Sequence, residues 1–356
     1  MANVCNACRY CEGYCAVFPA LERRLSFAQG DLTYLANLCH NCGSCYYACQ
    51  YAPPHEFQLN LPKVLAELRL DTYRRYAWPR FFSVLFDNNG AMVAVLTAMC
   101  ITAWLILVSP ASRPRGPEKA GDFYLLVSHR AMVISFALIA MIDCLAFAVG
   151  FVRYWNDIGE RLTDLWNPGA VAIAVRDALT LRYLDGGGEG CTYPDQEFSG
   201  IRRRYHHFTS YGFMLCFAST CVAAFYDNVL GWQAPYPLWS VPVLLGIAGG
   251  IGLVTGTAGL LWIKRRRDTA LTDSNQTGMD VGFLVLLMLS AVTGLALLAF
   301  RATGAMGILL AAHLGCIMGL FLTLPYGKFV HAIYRFAALI RFHLENERSV
   351  SNSEVD

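Results

Sequence analysis

Residues 5–15 read CNACRYCEGYC, and residues 39–49 read CHNCGSCYYAC. Both runs have the spacing C-x2-C-x2-C-x3-C, with Cys5, Cys8, Cys11 and Cys15 in one comb and Cys39, Cys42, Cys45 and Cys49 in the other. That spacing suits a pair of [4Fe–4S] clusters, in which three close cysteines take three corners of one cubane and the fourth closes the other. Crossed ligation therefore gives one set of Cys5, Cys8, Cys11 and Cys49, and a second of Cys15, Cys39, Cys42 and Cys45. A zinc site would pair two C-x2-C hooks and leave the third hook and the x3 step without a use. A disulfide scaffold calls for an oxidising compartment, and residues 1–15 carry no apolar signal-peptide core. The proline that often follows the fourth cysteine of such a run is replaced by Ala16 and Gln50.

Outward from the combs the composition changes. The chain has 356 residues, of which 56% are hydrophobic and 15% charged, with a mean hydropathy of +0.39. These values suit a soluble head followed by a membrane body. The expected fold is all-α, a two-cluster helical ferredoxin over 1–85 leading into a six-helix cytochrome b-like bundle over 86–345, with a polar tail at 346–356. In the head, Leu32, Leu35, Ala36 and Leu38 mark a short amphipathic helix before Cys39, and Pro62 to Arg75 a second one. The head is small enough that the clusters are expected to act as its core. No dinucleotide fingerprint or P-loop is present, so flavin, nicotinamide and ATP are not expected, and nothing points to nucleic acid.

Hydropathy places spanning helices at about 91–109, 123–152, 207–230, 239–263, 280–300 and 306–325. Basic residues gather on one side: Arg74, Arg75 and Arg80; Arg153, Arg161, Arg176, Arg182 and Arg202–Arg204; Lys264–Arg267; Lys328, Arg335 and Arg341. Arg113, Arg115 and Lys119 are a minority on the other. The positive-inside rule then puts both termini in the cytoplasm of a bacterial inner-membrane, multi-pass protein, the compartment in which cluster thiols stay reduced. The inner loop 153–205 carries an interfacial helix over Ala170–Leu184, broken by Gly186–Gly190 ahead of Cys191, and is expected to seat the head. Gly249, Gly252, Gly256 and Gly259 predict close helix packing.

Ionisable residues inside spans point to function. His313 and His331 are 18 residues apart. On one continuous helix they would share a face about 27 Å apart, one near each membrane surface, although Pro325 between them can bend it. Matching depths suggests two bis-histidine b-type haems. The outer one would use His129 and His313, and the inner one His331 with His206 or His207, of which His206 is preferred because adjacent residues point about 100° apart. Arg130, Arg202–Arg204 and Lys328 are placed to neutralise haem propionates, and Gly315 and Gly319 to leave room for the macrocycle. Two axial imidazoles suit electron transfer. Asp143 is either a proton relay to a quinone or a hydrogen-bonding partner for a neighbouring helix.

The two combs, together with RDALTLRYLDGGGEGCTYP (176–194) and RRRYHHFTSYGFMLCFAST (202–220), resemble the tricarballylate utilisation protein B family. They are also similar to the C-terminal half of a flavin-, haem- and cluster-containing protein of aerobic cobalamin synthesis. Separately, His313 with PYGKFVH (325–331) resembles the last haem helix of nitrate reductase gamma subunits. The first resemblance implies a separate FAD-dependent dehydrogenase, which oxidises tricarballylate, as partner. It also implies that this chain reoxidises the partner's FADH2 and delivers electrons to the quinone pool. The expected route is cluster, cluster, inner haem, outer haem, quinone. On this reading the chain is a redox subunit that does not act on the organic substrate itself. The alternatives are a haem and iron–sulfur component of an oxygenase-type or quinol-oxidising complex, and a membrane redox sensor.

Overall fold

The computed structural model describes residues 1–108, 124, 126–192 and 196–353, with the side chains of 351–353 left aside. Arg113, Arg115, Lys119 and the expected start of the second spanning helix at 123 lie outside the described residues. The described chain is all-α. Its one β feature is an isolated bridge between Cys191 and Ser199. The head comprises α1 (Ala2–Cys8), α2 (Val17–Glu22), α3 (Gln29–Leu38), α4 (Ser44–Tyr47) and α5 (Leu61–Tyr76). Then come α6 (Asn89–Leu107), α7 (His129–Asp157), α8 (Pro168–Thr180), α9 (Ile201–Asn228), α10 (Val241–Arg266), α11 (Ser274–Phe300), α12 (Met306–Thr323) and α13 (Val330–Ser353). Among the described residues six helices are long and apolar enough to cross a membrane: α6, α7, α9, α10, α11, and α12 with its extension to Tyr326.

The glycine repeat on α10 forms a tight seam with α9. A Cβ on Gly249 would stand 2.7 Å from the backbone N of Cys216, and one on Gly256 would stand 2.5 Å from that of Thr209. No side chain larger than hydrogen fits there, so the two backbones come close enough for dense van der Waals packing. Gly315 and Gly319 do the same work on α12. A Cβ on Gly315 would lie 2.5 Å from Ile101 Cα, and one on Gly319 2.7 Å from Thr97 Oγ1. Both glycines therefore seat α6, and the expectation that they leave space for a flat macrocycle is corrected.

The single long helix expected to carry His313 and His331 is also corrected. After Thr323 the chain makes a 3₁₀ turn over Leu324–Tyr326 and extends at Gly327, and α13 starts at Val330. Pro325 lacks a backbone N–H and its ring opposes a continuing helix. Of the expected polar tail, residues 346–353 continue α13, which runs to Ser353, and residues 354–356 lie outside the described residues.

α13 leaves the bundle and packs under the head. One hydrophobic cluster joins Phe18, Leu21, Tyr34 and Leu35 of the head to Tyr154 and Trp155 of α7 and to Tyr334, Ala337, Ala338 and Phe342 of α13. Tyr73 and Tyr334 stack with ring centres 6.0 Å apart. The head's core is thus completed by α7 and α13, beyond what the clusters alone would give. Tyr34, Tyr73, Tyr154 and Trp155 are each fully buried, and such burial contributes roughly 2 kcal/mol per large side chain. The same contact carries half-buried ion pairs between head and α13, Arg341 with Asp31 at 3.2 Å and Arg24 with Glu345. The docking of head on body thus joins a packed apolar core to an ion-paired edge.

Candidate functional site

The first comb is folded by α1 and the turn after it. Cys5 and Cys8 lie one helical turn apart, and Arg9 in the left-handed region (φ 56°) ends α1, which turns the chain back towards Cys11. In the second comb, Cys39 is the extended residue capping α3. Asn41 (φ 51°) and Gly43 (φ 86°) make the turn, and Cys45 sits in α4. A Cβ on Gly43 would meet Leu271 at 2.9 Å and Thr192 Oγ1 at 3.1 Å, so the second turn is packed against both the inner loop and the α10–α11 connection.

The two combs interlock. A cavity of about 220 Å³ is lined by Cys5, Cys8, Cys11, Cys49 and Cys45. Burial pushes the Cys5 thiol up to about 11, with Cys49 the next cause. Burial and then Cys49 push Cys11 up to about 12. Cys15 is raised well above its ordinary value by burial and then by Cys42 and Cys39, and Cys45 by burial and then by Cys42, Cys39 and Cys15. Cys49 thus lines one cavity with the first comb's Cys5, Cys8 and Cys11, and Cys42 and Cys39 press on Cys15. Thiols this crowded cannot all ionise without a polycation between them, and an iron–sulfur core supplies one. Among the described residues no three His, Cys, Asp or Glu side chains converge on a single-ion site. Thiolates about 2.3 Å from one zinc would do so, whereas those on separate corners of a cubane stand further apart.

Cys42 differs from its neighbours. The Cys191 side chain draws its thiol below the ordinary value, helped by Ser44 and Arg202, while burial opposes the shift. Cys191 is fully buried and clusters with Cys42, Leu184 and Ile263. Thr192 Oγ1 donates to the Cys42 carbonyl at 3.4 Å. The inner loop therefore reaches the second comb directly.

Beneath the second comb the structure brings His206 of α9 and His331 of α13 together, with ring centres 6.3 Å apart and planes at 72°. Two imidazoles sharing one metal at about 2 Å per nitrogen have their centres at about this separation. His331 Nδ1 lies 3.1 Å from the Lys328 carbonyl, so Nδ1 carries the proton and Nε2 is left to coordinate. The surroundings are cationic. Lys264 and Lys328 hold Asp280 at 2.5 and 2.8 Å, and burial, which Asp280 opposes, pushes Lys328 down to about 8. Arg335 is lowered by burial and then by Arg69, and its Nη1 is buried with no hydrogen-bond partner. Its Nη2 donates to the Cys39 carbonyl, but a buried guanidinium N–H without a partner is costly, and the propionates of a haem held by His206 and His331 are groups that would accept from it. The residues fit the group.

His40 was not anticipated. It follows Cys39, and burial and then Arg335, Arg202 and His206 hold its imidazole well below its ordinary value. Its carbonyl accepts from Arg202 of α9 at 3.0 Å, which ties this residue of the second comb to the helix that carries His206. No sequence signal marks it, since a histidine beside a cluster cysteine has no characteristic spacing.

The other expected residues lie elsewhere. His207 faces Tyr211, ring centres 5.6 Å apart, and lines a groove between α9 and α10 with Arg204. His129 Nε2 is 2.6 Å from Asp227, and its ring meets Tyr124. His313 Nδ1 is 3.2 Å from Thr293 Oγ1, and its ring packs on Gly294. Among the described residues no ring contact joins His129 to His313. Arg130 is exposed. Arg203 turns to Asp185 and the Thr180 carbonyl, away from the expected propionate position, whereas Arg202 and Lys328 are in the seam. Asp143 is 5% exposed, and its Oδ2 has no hydrogen-bond partner.

A family model described as Citrate utilization protein B matches residues 87–352, and one described as Citrate utilization protein B Fer4-like domain matches residues 1–75. The Citrate utilization protein B of Escherichia coli is 50% identical over 354 residues, covering 97% of this chain and 91% of that protein. No solved structure gives a significant match.

Proposed function

The chain belongs to the citrate utilization protein B family, and from that membership we propose a membrane-bound electron-transfer subunit. It accepts electrons from the FADH2 of a separate FAD-dependent dehydrogenase acting on tricarballylate or a related tricarboxylate, and passes them to the membrane quinone pool. It sits in the bacterial inner membrane with the head and both termini on the cytoplasmic side. The relative's name concerns citrate use, and citrate and tricarballylate share the same three-carboxylate skeleton.

The observation that supports this reading is that Arg335 and Arg202 tie the second comb, at Cys39 and His40, to the two helices that bring His206 and His331 together. Cys5, Cys8, Cys11 and Cys49 would hold one [4Fe–4S] cluster; Cys15, Cys39, Cys42 and Cys45 the other; His206 and His331 a b-type haem. When bound, these groups supply one-electron carriers between a two-electron flavin and a two-electron quinone. The chain's own residues set spacing and environment. The apolar core shared by the head, α7 and α13 fixes the distance from the combs to the histidines. Two imidazoles would fill both axial positions, which favours electron transfer over oxygen activation.

The test is composition. Anaerobically purified full-length protein should contain iron and sulfide for two [4Fe–4S] clusters and a pyridine haemochrome of b type. Protein lacking cluster absorbance and EPR signals sinks the proposal.

A further inference from the structure

The two cysteine sets sit in opposite electrostatic surroundings. The first opens outward. Its cavity is bordered by Tyr10, which is 69% exposed, and the groups pressing on Cys5 and Cys11 are chiefly other thiols. The second is gripped from three elements. Arg69 of α5 donates to the carbonyls of Ala36 at 2.8 Å and Cys39 at 2.6 Å. Arg335 of α13 donates to the same Cys39 carbonyl. Arg202 of α9 donates to the carbonyls of Asn41 at 2.8 Å and His40 at 3.0 Å. Three guanidinium groups thus converge on residues 36–41, which lead into and out of Cys39. Arg69 is only 7% exposed, so the screening that weakens surface charges is reduced here. Cys191, fully buried, packs beside Cys42 with its thiol donating to the Leu184 carbonyl at 3.3 Å.

Reducing a cluster adds one negative charge. Fixed positive charge and hydrogen-bond donors near the sulfurs stabilise the reduced form and raise the potential. We infer that Arg69, Arg202 and Arg335 form a cationic clamp that makes the second set's cluster the stronger electron acceptor. Electrons then run from the open first set towards His206 and His331. The exchange is of one electron, lost by the first centre and gained by the second, with no bond made or broken. The inference rests on the proposed reading that both sets hold clusters, and it adds the direction, which the cysteine spacing leaves open. Arg69, Arg202 and Arg335 are positioning residues on this account; they act through charge.

The test is an EPR-monitored redox titration of the full-length protein in detergent. Cys42→Ser identifies the wave of the second cluster. Arg335→Gln and Arg202→Gln should each move that wave to lower potential and reduce the preference of an electron for it about tenfold, or ~59 mV for one electron. The first cluster's wave should stay in place, and Arg335→Lys and Arg202→Lys should keep most of the preference. Arg202 is only partly buried, so its variants give the answer even where Arg335→Gln fails to assemble. Unmoved waves, equal shifts of both, or a shift confined to the haem band would overturn the clamp while leaving the proposed function standing. Absence of both cluster signals from the wild-type protein would overturn the two together.

Discussion

The inner and outer ends of the bundle each carry two histidines expected to face one another, and among the described residues a ring contact joins the inner two alone. His206 and His331 meet at 6.3 Å in a seam rich in buried cations. His129 has its Nε2 taken by Asp227 at 2.6 Å, while His313 meets Thr293 through Nδ1 at 3.2 Å. Similar depth is therefore not enough. A ligand pair also needs convergence, an empty coordination position, and surroundings that call for the charge of the missing group.

The largest effect should come from removing the pair itself. His206→Ala or His331→Ala should lower haem content per chain about tenfold or more, since even second-shell losses cost 10–100-fold in metal affinity. His129→Ala and His313→Ala should leave it nearly unchanged, and pyridine haemochrome assays on the four variants decide. Equal loss at His313 would erase the distinction between the two ends.

Glycine substitutions sharpen it. Gly259→Ala would drive a methyl into the Tyr205 ring beside His206, and Gly315→Ala one into Ile101 on the outer half of α6. Overpacking costs about 1–3 kcal/mol at either place, read as thermal stability in detergent. The haem spectrum should change only in Gly259→Ala. A smaller loss, about 1.5 kcal/mol for a hydrogen bond to a charged group, is expected for Asp227→Asn, without spectral change.

The smallest concerns how the head is held. Burial would raise the Asp31 carboxyl, but Arg24 of the head, 2.7 Å away, and Arg341 of α13, at 3.2 Å, outweigh this and hold it below its ordinary value. A carboxyl lowered in the folded state stabilises it above the unfolded value, and that stability is lost as pH falls through the folded value. Asp31→Asn should thus weaken docking by about 1 kcal/mol or less at neutral pH and flatten the loss of docking below about pH 4. Limited proteolysis at the head–body junction reads both.

What the sequence could tell follows from how local each signal is. The combs propose their own partners, because a cubane dictates the spacing, and Cys49 lines one cavity with Cys5, Cys8 and Cys11. Hydropathy finds the spanning helices because length and apolarity are local properties. The α10 glycines declare a close approach, and α9 is the helix that approaches. Gly315 and Gly319 carry the same signal, but periodicity does not say what comes close, and Ile101 and Thr97 fill the space expected for a macrocycle. The shared face of His313 and His331 presupposes one continuous helix, and the turn at Pro325 and Gly327 breaks it. The seam of Arg69, Arg202, Arg335 and His40 is assembled from four separate stretches of chain, and no single stretch announces it.

The most direct measurement mixes the oxidised full-length protein anaerobically with a reduced FAD-dependent tricarballylate dehydrogenase and follows the spectrum in time. The account predicts that cluster absorbance bleaches first and a reduced b-type band then rises, and that the rise is abolished in the His331→Ala variant while bleaching persists. A flavin that stays reduced, with clusters and haem band unchanged, would contradict it.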